Sequence, residues 1–211
     1  MARWSPIERA VRAEFGPLIA GVDEVGRGPL AGPVVACAIV MPPTQRAIAG
    51  VNDSKQLNAV TRERLDRLIR ERAIVVSLGA ASVREVDRLN IYHATVLAMR
   101  RALSRLARVM GRSPDHVLID GNALRTLGIR HTAVVKGDAK CYAIACASIV
   151  AKVTRDRLMH RLAERHGGYA WESNVGYGTP QHLEALAAHG LTPHHRRSFC
   201  LDAQTTFDEL T

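Results

Sequence analysis

Lysine is scarce in this chain of 211 residues: its 29 Lys and Arg residues include only four lysines, Lys55, Lys136, Lys140 and Lys152. Cysteine is equally sparse, and the four present, at 37, 141, 146 and 200, form no C-x-x-C pair, so no disulfide framework is indicated. No long apolar run exists either. The longest uncharged stretch, Gly28 to Gln45, is broken by Pro29, Pro33, Pro42 and Pro43, and a membrane helix needs about 20 unbroken apolar residues. The N-terminal MARWSPIERAVRAEFG is charged throughout and lacks the apolar region of a signal peptide. Repeats and low-complexity tracts are absent. These absences leave a reduced cytoplasmic protein with one core and no membrane partner.

What is present is positive charge. Lys and Arg outnumber the 20 Asp and Glu to give a net +9, while 47% hydrophobic and 23% charged content is that of a folded globular chain. Such an excess suits a polyanionic partner, most simply nucleic acid, although it also serves as a solubilising surface.

The apolar, Gly- and Pro-bounded segments Pro17–Val25 and Val34–Met41 predict two strands joined by the turn GRGPLAGP. A short helix opening at Thr61, a strand over Ala73–Ala81, and a long helix carrying Tyr92, Val96, Met99, Leu103, Leu106 and Met110 follow, the last stopped by Gly111. His116–Asp120 and Ala133–Lys136 read as strands four and five, and Ala139–Arg165 as one helix whose small residues let it lie close on a sheet. The fold class is therefore α/β, a mixed sheet flanked by helices. Residues 1–166 form its main domain. Residues 167–211 form a small helical and loop-rich C-terminal appendage packed on it, with a helix near Gln181–His189.

Three strand ends deliver acids: Asp23 with Glu24, Asp120, and Asp138. Sites in open α/β sheets collect where strands end, and carboxylates gathered there repel one another unless a cation intervenes. An all-oxygen set without ligand-spaced His or Cys points to Mg²⁺ or Mn²⁺. His194, His195 and Cys200 lack a second ligand pair of the right spacing for zinc. Each acid also has a plainer reading. Asp23-Glu24 can be a surface turn, and in a regular strand the two side chains face opposite ways. Asp120 before Gly121 can be a turn residue, and Asp138 a helix cap. The glycine string around Arg27 exceeds what a tight turn needs and allows a ligand to approach the backbone. With a basic surface, the acids favour metal-dependent hydrolysis of nucleic acid.

The blocks GVDEVGRGPLAGPVV, NDSKQL, LIDGN, VVKGDAK, ASIVAKVTRDRLM, GYGT and TPHHRRSF, in this order between about Ala20 and Phe199, resemble the successive motifs of bacterial ribonuclease HII, the type 2 ribonuclease H. The resemblance implies a ribonuclease-H-like fold, cleavage of RNA in RNA–DNA hybrids, and incision 5′ to single ribonucleotides in duplex DNA, leaving 5′-phosphomonoesters. It implies that Asp23, Glu24, Asp120 and Asp138 are the catalytic, metal-binding acids, with two Mg²⁺ or Mn²⁺ ions per site when substrate is bound. By the same resemblance Gly26, Arg27 and Gly28 contact the ribonucleotide through backbone groups, and Tyr177 packs on the sugar at the RNA–DNA junction. Lys55, Lys152, Arg196 and Arg197 fall in motifs near the substrate and are expected at phosphates. The chain departs from the family at Val175, where Lys is usual. The related ribonuclease HIII carries a Glu as fourth acid and a longer N-terminal region, unlike this chain. The expected protein is a cytoplasmic monomer; a replication clamp or polymerase partner is left open, as is any role of residues 200–211. The competing reading from another class is a catalytically silent hybrid-binding protein.

Overall fold

Strand β1 (Ile19–Val25) pairs antiparallel with β2 (Val34–Val40), which pairs antiparallel with β3 (Val75–Ala81). On its other side β1 runs parallel to β4 (His116–Asp120), and β4 parallel to β5 (His131–Val134), giving the mixed order β3-β2-β1-β4-β5. The computed structural model describes residues 4–200. The expected α/β class holds, because apolar β-branched segments bounded by Gly and Pro leave both faces of the sheet needing cover.

Helix α3 (Val83–Met110) covers one face, burying Met99, Leu103 and Leu106 against Ala20, Val22, Ala36 and Ile119. The other face carries α5 (Tyr142–Arg165), packed with α2 (Ala59–Arg72) over Cys37 and Ile39. The small residues of α5 allow close contact. A Cβ placed on Gly21 would fall on the backbone carbonyl of Ala143, so glycine there lets α5 lie directly on β1, two residues before Asp23. From residue 167 on, α6 (Trp171–Asn174), α7 (Pro180–His189) and the following loop pack around Trp171 against Ala31 and Met159. An isolated bridge from His195 to Ala31 joins this segment to the glycine turn. No described helix is long and apolar enough to cross a membrane.

Several boundaries differ from the sequence reading. Helix α2 starts at Ala59 rather than Thr61, because Asn58 caps it by accepting the Thr61 amide at 2.8 Å. Helix α3 starts at Val83, behind an N-cap at Ser82 whose capping box with Glu85 the sequence reading did not use, and it kinks at Asn90, where φ is 64°. β5 ends at Val134 because Lys136 turns into the left-handed region. The expected helix Ala139–Arg165 is two: α4 (Gly137–Lys140), an extended Cys141, then α5.

The cause of that break is a helix absent from the sequence reading, α1 (Pro6–Phe15), which Ser5 and Glu8 cap reciprocally. The Glu8 carboxylate is fully buried and also accepts the amides of Tyr142 at 3.1 Å and Ala143 at 2.8 Å. It therefore fixes where α5 begins, with its charge at the helix N-terminus. Removing it in Glu8→Ala leaves three buried amides unpaired. The expected loss is about 3 kcal/mol, read as a fall of roughly 6–12 °C in melting temperature; an unchanged melting curve would contradict this role.

Candidate active site

The last parallel pair of β1 and β4 is Val22 with Ile119, and both side chains lie in the core under α3. Alternation then turns the next residues, Asp23 and Asp120, to the opposite face, side by side at the carboxyl ends of adjacent strands. Asp138 arrives from the first turn of α4. Asp120 Oδ1 accepts the Gly137 amide at 2.6 Å, which ties β4 to the start of that helix. Carboxylate oxygens of Asp23, Asp120 and Asp138 all lie within 4.8 Å of one another. Among the described residues this is the group arranged to share an ion. Asp138 is not the N-cap, a place Lys136 takes; its Oδ1 accepts the Ala139 amide at 2.9 Å.

Glu24 lies on the other face, as strand alternation requires, outside this group of three. Its carboxylate pairs with Arg27 at 3.2 Å. With Asp120 it borders a cavity of about 280 Å³ lined further by Arg27, Tyr92, Thr95 and Asn122. Asp120 thus stands between the group of three and Glu24.

The electrostatics are those of crowded acids. Burial, reinforced by Glu24 and Asp120, pushes the Asp23 carboxyl well above the ordinary range, against a hydrogen bond from Ser148. Burial also raises Glu24, opposed by Arg27. Asp138 is raised by burial and then by Asp120 and Asp53, against Lys55. The Lys55 ammonium, itself exposed, stands 4.0 Å from Asp138 Oδ2. Its turn (Ser54–Gln56) is anchored by Ser54, whose hydroxyl lies 2.9 Å from that of Ser148. Three convergent hard oxygen donors beside a single ammonium fit a divalent cation of the Mg²⁺ or Mn²⁺ kind, which would offset their mutual repulsion.

Beside the acids the turn after β1 exposes Arg27 and Gly28 while Gly26 is buried. The Tyr177 ring stands over it: a Cβ on Gly28 would lie 3.7 Å from the ring edge. The carbonyl of Tyr177 faces His182 Nδ1 at 2.8 Å, and His182 Nε2 lies 3.0 Å from both Trp171 Nε1 and His195 Nε2. That histidine pair supports Tyr177 from below. Val175, in place of the usual Lys, sits in the left-handed region at φ 44°.

The four basic residues expected at phosphates divide. Lys55 stands at the acids, as above. Lys152 lies one helical turn beyond Ser148 on α5, with its ammonium 2.9 Å from Asp156. Arg197 is exposed, and its amide donates to Asp87 at 3.2 Å. Arg196 requires a correction: it is fully buried and donates to the carbonyls of Gly26, Arg27 and Gly32. A guanidinium so enclosed has no donor to offer a phosphate. The sequence reading also missed Arg155, equally buried beside it, and Ser148. Arg155 sits inside the VTRD block but is spaced like any exposed helix residue, so its burial had no local signal.

A family model described as Ribonuclease HII matches residues 20–202. A curated ribonuclease HII from Granulibacter bethesdensis is 52% identical over 203 residues, covering 94% of this chain and 90% of its own. Among solved structures, ribonuclease H2 from Pyrococcus horikoshii superposes with a TM-score of 0.71 at 27% identity, covering 85% of this chain and 92% of that one. The RNase HII of Archaeoglobus fulgidus, in complex with PCNA, matches with a TM-score of 0.66 at 25% identity over 85% of this chain and 94% of that one.

Proposed function

This chain belongs to the ribonuclease HII family and is a metal-dependent ribonuclease H; we propose that it hydrolyses the RNA strand of RNA–DNA hybrids and cuts 5′ to single ribonucleotides in duplex DNA. The observation that carries this reading is the placement of three acids within 4.8 Å of one another beside a glycine turn whose exposed backbone faces Tyr177.

In this reading Asp23, Asp120 and Asp138, which converge, would hold one divalent cation, and Glu24, across Asp120 from them, would complete the shell of a second. When bound, such cations supply a water of lowered pKa and a clamp on the attacking and leaving oxygens of the phosphodiester. The chain's own groups do the rest. The Gly137 amide orients the Asp120 carboxylate. Ser148, held by Ser54, orients Asp23. Lys55 offsets part of the negative charge at Asp138 and with Lys152 and Arg197 approaches the phosphates. The backbone at Gly26, Arg27 and Gly28 meets the ribose 2′-hydroxyl, which as donor and acceptor distinguishes RNA from DNA. Tyr177 packs on the next sugar, so that recognition of the junction fixes the scissile phosphate over the acids.

Acting on DNA, the chain works in the bacterial cytoplasm, as a monomer in this reading. Because the Archaeoglobus relative is seen with PCNA, a replication clamp is the protein partner to test. The role of residues 200–211, left open by the sequence, falls from residue 201 onward outside the described residues.

A labelled duplex with one ribonucleotide, incubated with Mg²⁺ beside an all-DNA duplex, tests the function. One cut on the 5′ side of the ribonucleotide, lost on adding EDTA, is the expected result. Cleavage of a continuous hybrid alone would retire the junction role of Tyr177. Tight binding of both substrates without any cut would favour the silent binding protein.

A further inference from the structure

Two arginines, Arg155 and Arg196, are fully buried beneath the glycine turn, and neither forms an ion pair with a carboxylate among the described residues. Their donors go to backbone carbonyls instead. Arg155 donates to Pro33 at 3.0 Å, Ala31 at 2.9 Å and Val175 at 2.9 Å. Arg196 donates to Gly32 at 3.0 and 2.8 Å, Arg27 at 2.9 Å and Gly26 at 2.6 Å. The two cations also repel, and burial together with Arg155 lowers Arg196 to about 10. Burying an ammonium or guanidinium without a counter-charge is costly, and an apolar side chain would fill the same space more cheaply. The carbonyls being held are therefore the feature to explain.

The peptide units concerned give the explanation. Among the described residues no peptide bond is cis, and in a trans peptide the N–H points opposite to the C=O. Holding the Gly26 carbonyl inward turns the Arg27 amide outward, and holding the Arg27 carbonyl inward does the same for Gly28. Arg27 and Gly28 are the exposed residues of the turn, and their amides donate to no acceptor among the described residues.

We propose that Arg196, braced by Arg155, is a positioning residue: it aims the amides of Arg27 and Gly28 outward, at an acceptor oxygen of the ribonucleotide. This rests on the reading that the turn meets the ribonucleotide, and adds which side chains set its aim. The fork matters as well as the charge, since a guanidinium spans three carbonyls in one plane, whereas an ammonium cannot. The buried cation also polarises the two peptides in a sense that favours an electron-rich oxygen in front of them.

The test uses the full chain with Arg196→Lys and Arg196→Met. Cleavage of a one-ribonucleotide duplex and affinity for the matching all-DNA duplex are measured together, with melting curves. Cleavage efficiency is expected to fall about tenfold or more in both variants, the scale of one or two lost hydrogen bonds, while all-DNA affinity stays within about twofold. Full rescue by Arg196→Lys, or a parallel loss of all-DNA binding, would overturn the proposal. Amide hydrogen exchange in the wild type decides it without any variant. Arg27 and Gly28 should exchange fast in the free protein and be protected by the ribonucleotide duplex but not by all-DNA. Slow exchange in the free protein defeats the aiming argument even if cleavage is normal. Fast exchange with no ribonucleotide cleavage by the wild type would place the failure in the functional reading instead.

Discussion

Asp120→Asn is expected to abolish cleavage, by roughly three orders of magnitude in kcat, while leaving duplex affinity within about twofold. Asp120 is the acid shared by both sides of the site. Its carboxylate lies in the group with Asp23 and Asp138 and borders the cavity that Glu24 lines from the other face. The asparagine oxygen can still accept the Gly137 amide, now at 2.6 Å, so the junction of β4 and α4 keeps its partner. What is lost is one negative charge at the place where divalent cations are expected. In the proposed reading duplex binding rests on the basic surface and the glycine turn, neither of which the substitution touches. Single-turnover cleavage, anisotropy binding and a melting curve on the same sample separate the effects. Turnover within about tenfold of the wild type would remove Asp120 from this role, and a collapsed melting curve would show that its amide contact is structural.

The parts of this site that were legible in the sequence are those written in local chemistry. Asp120 follows an apolar strand and precedes Gly121, and Asp23 follows another, so strand ends and acids coincide in the text itself. The alternation of β1 was legible as well: it places Asp23 and Glu24 on opposite faces, and the structure sets Arg27 against Glu24. What was not legible depends on contacts distant along the chain. Arg196 and Arg197 look alike in HHRRSF, yet one is fully buried and the other exposed, because the segment crosses behind residues 26–32 and only one side of it meets carbonyls. Glu8 and Tyr142 are 134 residues apart, and nothing near Cys141 announces that a carboxylate from the N-terminal helix will start α5 there. The Ser5-Glu8 and Ser82-Glu85 capping boxes are different: both were readable from spacing alone, and would have placed the starts of α1 and α3.

The two ends of the Gly26–Gly28 turn should respond oppositely to the same added methyl group. At Gly26 φ is +86°, and a Cβ would collide with the Nε and Cδ of Arg155 and stand 2.8 Å from the Pro33 carbonyl. Gly26→Ala must therefore displace a buried guanidinium from its carbonyls, at a cost of about 3 kcal/mol or more, with melting lowered by roughly 6 °C at least. Gly28 has no such constraint. Its backbone is outside the left-handed region, and the nearest atom to an added Cβ is the Tyr177 ring at 3.7 Å, an ordinary contact. Gly28→Ala should leave the melting temperature unchanged or raise it slightly, since alanine restricts the unfolded chain. Nothing among the described residues asks for glycine at this position, so the reason for it lies on the outer side, where in the proposed reading a ribonucleotide reaches the backbone. The methyl stands in that approach, and cleavage at a single ribonucleotide is expected to fall about a hundredfold. All-DNA binding, which needs no such approach, should be retained. A Gly28→Ala protein that is as stable as the wild type and cuts as fast would show that the turn does not meet the ribonucleotide through its backbone. A protein that melts early would show an internal constraint at Gly28 that its open surroundings do not contain.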